Sequence, residues 1–137
     1  MEALGRLFNV LPVADDAYVD MKSASGVTFT GVLAAGDTWT LTEQKPDGTG
    51  DQVLATIERY YTAATVGAAW VLHEQVAAST VVTTASEDVV CIHVNEQELS
   101  AGYSMVKLAS TSTGTVFAIA HDLKVQRDPA NLPAMAV

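Results

Sequence analysis

Apolar residues recur at every second position over most of this chain, and a period of two predicts strands, because side chains alternate between the two sides of an extended backbone. The pattern is cleanest in Thr38–Glu43, TWTLTE, where Trp39 and Leu41 share one face and Thr38, Thr40 and Thr42 the other. Just before it, VTFTGVLA (27–34) sets Val27, Phe29 and Gly31 against threonines, and Ala35-Gly36-Asp37 supplies a turn. The two segments are expected to form a hairpin whose apolar faces pack on a second sheet.

The same reasoning divides residues 86–123 into three strands joined by two turns. Val90, Ile92 and Val94 take one face of the first strand, and Val89, Cys91 and His93 take the other. Asn95–Gly102 is a polar turn, Tyr103–Leu108 a second strand, in which Tyr103, Met105 and Lys107 alternate with Val106 and Leu108, and Val116–Ala120 a third, with Ser110–Gly114 read as a hairpin turn. Residues 52–64 fit either a helical face (Val53, Leu54, Ile57, Tyr60, Tyr61, Ala64) or a strand (Val53, Ala55, Ile57, Arg59, Tyr61). The strand is preferred, since this run is rich in β-favouring residues and Trp70–Gln75 offers a return strand across Thr65-Val66-Gly67. An interruption near Ala77–Ser79 separates that strand from VVTT, which pairs elsewhere. Roughly eight to ten strands at this spacing predict an all-β fold, a β-sandwich or jelly roll, in a single domain over 1–137.

The two ends read differently. LGRLFNVLPV (4–13) is apolar and carries Pro12, which suits an edge strand or an extended arm, with the arm favoured; residues 1–26 are read as N-terminal arm and loop. Pro129 and Pro133 restrict 126–137 to an extended C-terminal tail along a surface. Leu4, Leu7, Phe8, Val10, Leu11, Val125, Leu132 and Met135 are the apolar residues by which such arms would hold a partner.

Composition narrows the partners. A net charge of -9, from 7 basic against 16 acidic residues, opposes binding to a phosphate backbone, whose affinity comes from Lys and Arg releasing counterions. No nucleic-acid partner is expected. No stretch approaches the ~18 apolar residues of a membrane span, and the N-terminus lacks the pattern of a signal peptide, so a soluble, unsecreted protein is expected. Charged residues make up 17% of the chain while 49% are hydrophobic, against about 25% charged in ordinary domains. Interfaces are depleted in charge at their centres, so part of this surface is expected to lie against partners.

Candidate chemistry is thin. Cys91 is the only cysteine, so no internal disulfide framework exists, and its apolar surroundings suggest a small buried hydrophobe. His73-Glu74, Cys91-x-His93 and His121-Asp122 could supply zinc ligands or a cysteine nucleophile with its base, but no HExxH or paired CxxC accompanies them. Pairing of these histidines with a neighbouring Thr, Glu or carbonyl is the preferred reading, and no catalytic residue, metal or cofactor is expected. Asp88, Glu96 and Glu98 flank a turn, and an acid–base role for them would need two carboxylates ~5 to 9 Å apart. Tyr60, Tyr61 and Trp70 suit cross-strand packing better than a sugar platform.

The opening MEALGRLFNVLPV, TWTLTE with its Gly-rich loop, IERYYT with the downstream AAW, ELSAGYSMVKL and the closing HDLKVQRDPANLPA together resemble small virion proteins of tailed bacteriophages of actinobacterial hosts. The resemblance covers nearly the whole chain. It implies a non-enzymatic head protein, a decoration or cement protein with a β-sandwich or jelly-roll body. Such a protein is made in the host cytoplasm, binds the major capsid protein on the outside of the shell, and forms a homo-oligomer, with a trimer favoured. A tail or head-to-tail connector subunit is the alternative, followed by a carbohydrate-binding module using Trp39, Trp70 and Tyr61.

Overall fold

The alternating segments form two antiparallel sheets whose apolar faces meet across one core. The computed structural model describes residues 3–11, 15–111 and 114–136; Pro12 and Val13 of the expected arm, Ser112 and Thr113 of the expected turn, and Val137 at the tip of the tail lie outside them. Eleven strands are described: β1 (Phe8–Leu11), β2 (Val19–Asp20), β3 (Ala24–Val32), β4 (Thr38–Gln44), β5 (Gln52–Val53), β6 (Ile57–Ala63), β7 (Val71–Ala78), β8 (Thr80–Val82), β9 (Val89–Asn95), β10 (Met105–Ser110) and β11 (Thr115–Leu123). A six-stranded sheet runs β1-β11-β3-β9-β6-β7, and a five-stranded sheet runs β2-β10-β4-β5 with β8 also on β4. Residues 52–64 are not helical, but they form two strands instead of one: β5 pairs with β4 in the five-stranded sheet, 54–56 cross over, and β6 joins the six-stranded sheet and returns through β7. Ser79 is the crossover at which the chain leaves the first sheet, and β8 pairs with β4 of the second.

Two expected pairings are corrected. β3 and β4 are not a hairpin; they belong to opposite sheets, and Val27 and Phe29 of β3 face Trp39 and Leu41 of β4 through the core. Likewise 86–123 is not a three-stranded element: β9 and β11 flank β3, while β10 lies in the other sheet between β2 and β4. β10 and β11 therefore do not pair as the two strands of a hairpin. The physical reason is the same for both. An alternating strand satisfies its apolar face equally well beside its neighbour in sequence or across from it, and the pattern alone does not choose. The corner after β3 is made by Leu33 (φ 58°) and Gly36 (φ 66°), both in the left-handed region, which turn the chain out of the first sheet.

At the centre of the core, Trp39 is fully enclosed. Its indole packs against Gly31 of β3 and Gly114 before β11; a Cβ at Gly31 would stand 2.6 Å from Trp39 Cη2. The glycine in β3 is thus the recess that receives the largest side chain of the facing sheet. Phe29, Leu41, Ile92 and Leu108 complete the layer, all essentially without exposure.

The inward face of β4 carries one acidic residue. Glu43 follows Trp39 and Leu41 in the alternation and is 0% exposed. Its carboxylate accepts from Ser100 N (2.9 Å), from the Ser100 hydroxyl and from Gln52 Nε2 (2.6 Å), so it clamps the loop before β10 to the β4–β5 edge. Removing it would leave those donors unpaired, at a cost of about 1–3 kcal/mol. Glu43→Ala is expected to lower the urea midpoint accordingly, with faster hydrogen exchange at Ser100; an unchanged midpoint would show that the clamp adds nothing.

Both terminal segments lie against the body of the same chain. Ala3–Phe8 forms a turn whose Leu7 N–H donates to Ala3 O (2.8 Å), and β1 pairs antiparallel with β11 as an edge strand. From the other end, Arg127 N donates to Gly5 O (2.8 Å), Pro129–Asn131 makes a 3-10 turn, Asp20 N donates to Met135 O (3.0 Å), and Ala136 bridges to Val19.

Candidate interaction surface

Register fixes which residues the six-stranded sheet turns away from the core. Across its strands the outward rows are Phe8–His121–Gly26–Asn95, Val10–Ile119–Thr28–His93, Phe117–Thr30–Cys91–Tyr61–Leu72 and Thr115–Val32–Val89–Ala63. The last two rows carry no charge at all. With strands ~4.8 Å apart and alternate residues ~6.8 Å apart along each, the face spans on the order of 600 Å², close to one side of a standard interface. On the outer side of β6 and β7, Arg59 and Glu74 approach to 3.4 Å and offset each other's charge.

Candidate residues for chemistry are distributed over this face and its rim. Thr28 Oγ1 lies 3.0 Å from His121 Nε2 and 3.3 Å from His93 Nδ1, and the two imidazoles stack with centroids 5.0 Å apart. Gly26 permits this, since a Cβ there would meet both rings. His93 Nε2 pairs with Asn95 Oδ1 (3.0 Å) and His121 Nδ1 with Asp122 Oδ2 (2.9 Å). His73 lies on the opposite side of the sheet, stacked on Tyr60 at 4.8 Å and bound to Thr62 Oγ1 (2.7 Å), with Glu87 Oε1 at 3.2 Å. The three histidines therefore pair with threonines and acidic or amide neighbours. Among the described residues no group of three or more His, Cys, Asp or Glu is arranged to hold a metal ion.

Cys91 departs from expectation: it is half-buried on the outward face rather than enclosed in the core. Its surroundings push the thiol up by desolvation, a shift only partly offset by a hydrogen bond with Thr30, so it keeps its proton at neutral pH. Glu98 accepts from Asn95 N (2.7 Å) and Glu96 pairs with Lys124. Asp88 precedes β9 and Glu96 follows it. At ~3.3 Å per extended residue they are well over 20 Å apart, beyond the spacing of a glycosidase pair. Trp39, one of the three aromatics considered for sugar stacking, is sealed in the core, whereas Trp70 is 52% exposed and lines an apolar hollow with Tyr61 and Cys91.

The residues expected to act as arms divide into three groups. Leu11 packs on the core and Met135 is part of it. Leu4, Phe8 and Leu132 are half-buried, while Leu7, Val10 and Val125 remain exposed. What sequence reasoning missed is the outward face itself; the signal was present in the alternate residues of β9 and β11, which are apolar or uncharged on both sides. No protein-family model, no curated protein and no solved structure matches this chain.

Proposed function

We propose that this chain is a structural subunit that docks through the outward face of its six-stranded sheet, and that it serves as a decoration or cement protein on the outside of a bacteriophage head. The observation that carries the docking role is the pair of uncharged outward rows, whose partly exposed centre is Phe117, Thr30, Cys91 and Val32, while Val89 and Ala63 beside them are already buried. Charge-poor, aromatic-bearing centres are the mark of interfaces. The capsid as partner comes from the sequence resemblance. In this reading the two-sheet body serves as the implied jelly-roll body, and Leu7, Val10 and Val125 extend the contact from the terminal segments. Each contact is modest, and shell symmetry repeats it many times, so a weak affinity per copy is enough.

The test is cosedimentation with heads assembled from the major capsid protein alone. The wild-type chain is expected to pellet with the shells at a fixed stoichiometry and to raise their melting temperature. Ile119→Glu, which places a carboxylate in the outward face, is expected to abolish both effects while leaving the free protein's own melting curve unchanged. Failure of the wild-type chain to bind shells, or undiminished binding by a folded Ile119→Glu, would overturn the proposal.

A further inference from the structure

Of the large apolar side chains left exposed among the described residues, six of twelve fall within residues 61–76: Tyr61, Val66, Trp70, Val71, Leu72 and Val76. They belong to the β6–β7 hairpin, which ends the six-stranded sheet. β7 has no fully buried residue, because the second sheet does not reach beneath it. Val71 lies opposite Thr62 and Leu72 opposite Tyr61, so apolar side chains emerge on both of its sides. Val76 is 90% exposed.

The two edges of this sheet are built differently. At β1 the N-terminal turn covers the free edge: Phe8 O accepts from Gly5 N (2.8 Å), and the Asn9 side chain takes the Val10 N–H (2.9 Å). At β7 the free edge carries neither proline nor lysine, the residues that commonly protect edges. Between Ile57 and Arg59 the opposing stretch of β7 runs from Ala78 to Glu74, a bulge in which Gln75 Nε2 donates to Ile57 O (2.9 Å). This leaves Val71–Glu74 as a regular, open ladder. In the other sheet β2 and β5 are two residues each, and β2 is closed by Ala136.

We infer that β7 is a self-association edge, where a second copy of this chain adds its own β7 antiparallel across a two-fold axis. Three observations select this occupant. Among the described residues β7 is the long open edge of its sheet and β1 is covered, so a head-to-tail contact through this sheet has no acceptor, whereas a two-fold contact uses the same edge twice and closes. In a molecule of net charge -9, the one acidic residue on β7, Glu74, is offset by Arg59 of β6, which leaves Glu58 as the uncompensated charge of the two strands and keeps repulsion between like copies small here. The exposed side chains of the hairpin also offer on the order of several hundred Å² per copy, the scale of one side of a specific interface. This contact does not depend on shell binding, and it lies at the margin of the face proposed for that role.

Sedimentation equilibrium of the free protein is expected to show a monomer–dimer equilibrium. Leu72→Lys combined with Val76→Lys is expected to weaken it roughly tenfold or more, equivalent to about 1.4 kcal/mol per decade. Val125→Lys, outside the hairpin, is expected to leave it intact. In the wild-type chain, amides of Val71–Glu74 are expected to gain hydrogen-exchange protection as concentration rises, a readout that needs no variant to fold. A monomer at all concentrations, a trimer, or a dimer with no concentration-dependent protection at β7 overturns the inference.

Discussion

Trp39→Ala is expected to be the most damaging single substitution in this chain, lowering stability by about 3–5 kcal/mol, the range for truncating a buried Trp or Phe to Ala. The indole is enclosed between the sheets and rests on Gly31 and Gly114, so its loss opens a void bounded by backbone that cannot collapse without bringing the sheets together. The reciprocal change, Gly31→Ala, pushes a methyl group into a ring 2.6 Å away and is expected to cost about 1–3 kcal/mol. Urea denaturation of the two single variants and their combination checks the argument. If the recess and the ring are one feature, Gly31→Ala should cost less in the Trp39→Ala background than in the wild type. Strict additivity would show that the clash is relieved elsewhere.

Acid is expected to destabilise the protein through Asp37. This residue sits at the corner between β3 and β4, buried, and its carboxylate receives Thr38 N (2.7 Å), Thr111 N (3.2 Å), Thr111 Oγ1 (2.8 Å) and the Ser110 hydroxyl. Burial pushes its carboxyl up, but the hydrogen bonds from Ser110, Thr111 and Thr38 outweigh it and hold the group below the ordinary carboxylate range. A carboxyl lowered on folding contributes its full stabilisation above its unfolded value, near 4, and loses it as pH falls through the lower folded value. Asp37→Ala strips the anion from four donors and is expected to cost upwards of about 2 kcal/mol at neutral pH. Asp37→Asn, which cannot ionise, should flatten the part of the stability profile below about pH 4 that this residue contributes. A wild-type profile unchanged by Asp37→Asn would assign the acid sensitivity to other carboxylates.

Much of the strand content was legible because β4, β9 and β11 alternate cleanly, and each presents to the core the residues that its period of two selects: Trp39 and Leu41, Val90, Ile92 and Val94, Val116 and Ala118. Even Glu43 obeys the period, which puts it inside; only its partners, Ser100 and Gln52, could not be read locally. Pairing was not legible. Whether β4 lies beside β3 or across from it depends on a corner formed by a non-glycine residue, Leu33, in the left-handed region, and nothing in a leucine announces that conformation. Apolar content and prolines predict arms at the two ends, yet the same content lets Leu11 pack on the chain's own core and Met135 join it. The outward face is hard to see in the sequence because β9 and β11 are nearly uncharged on both sides, and such strands signal burial without saying whether the second cover comes from the same molecule.

Strand order in the six-stranded sheet also fixes a sequence of events during synthesis. Of the eleven strands β1 is made earliest, but among the described residues its sheet neighbour is β11, which ends at Leu123. β3 meets the same delay, since its two neighbours, β9 and β11, lie more than fifty residues downstream. The nascent chain therefore carries β1 and one of the central strands unpaired until the downstream partners β9 and β11 have been made. Pairings this distant in sequence place folding on the millisecond-to-second scale of high-contact-order β domains. A copy interrupted before β11 would present on β3 a full-length unsatisfied edge, which makes premature termination, more than any surface substitution, the event that would most expose this chain to aggregation.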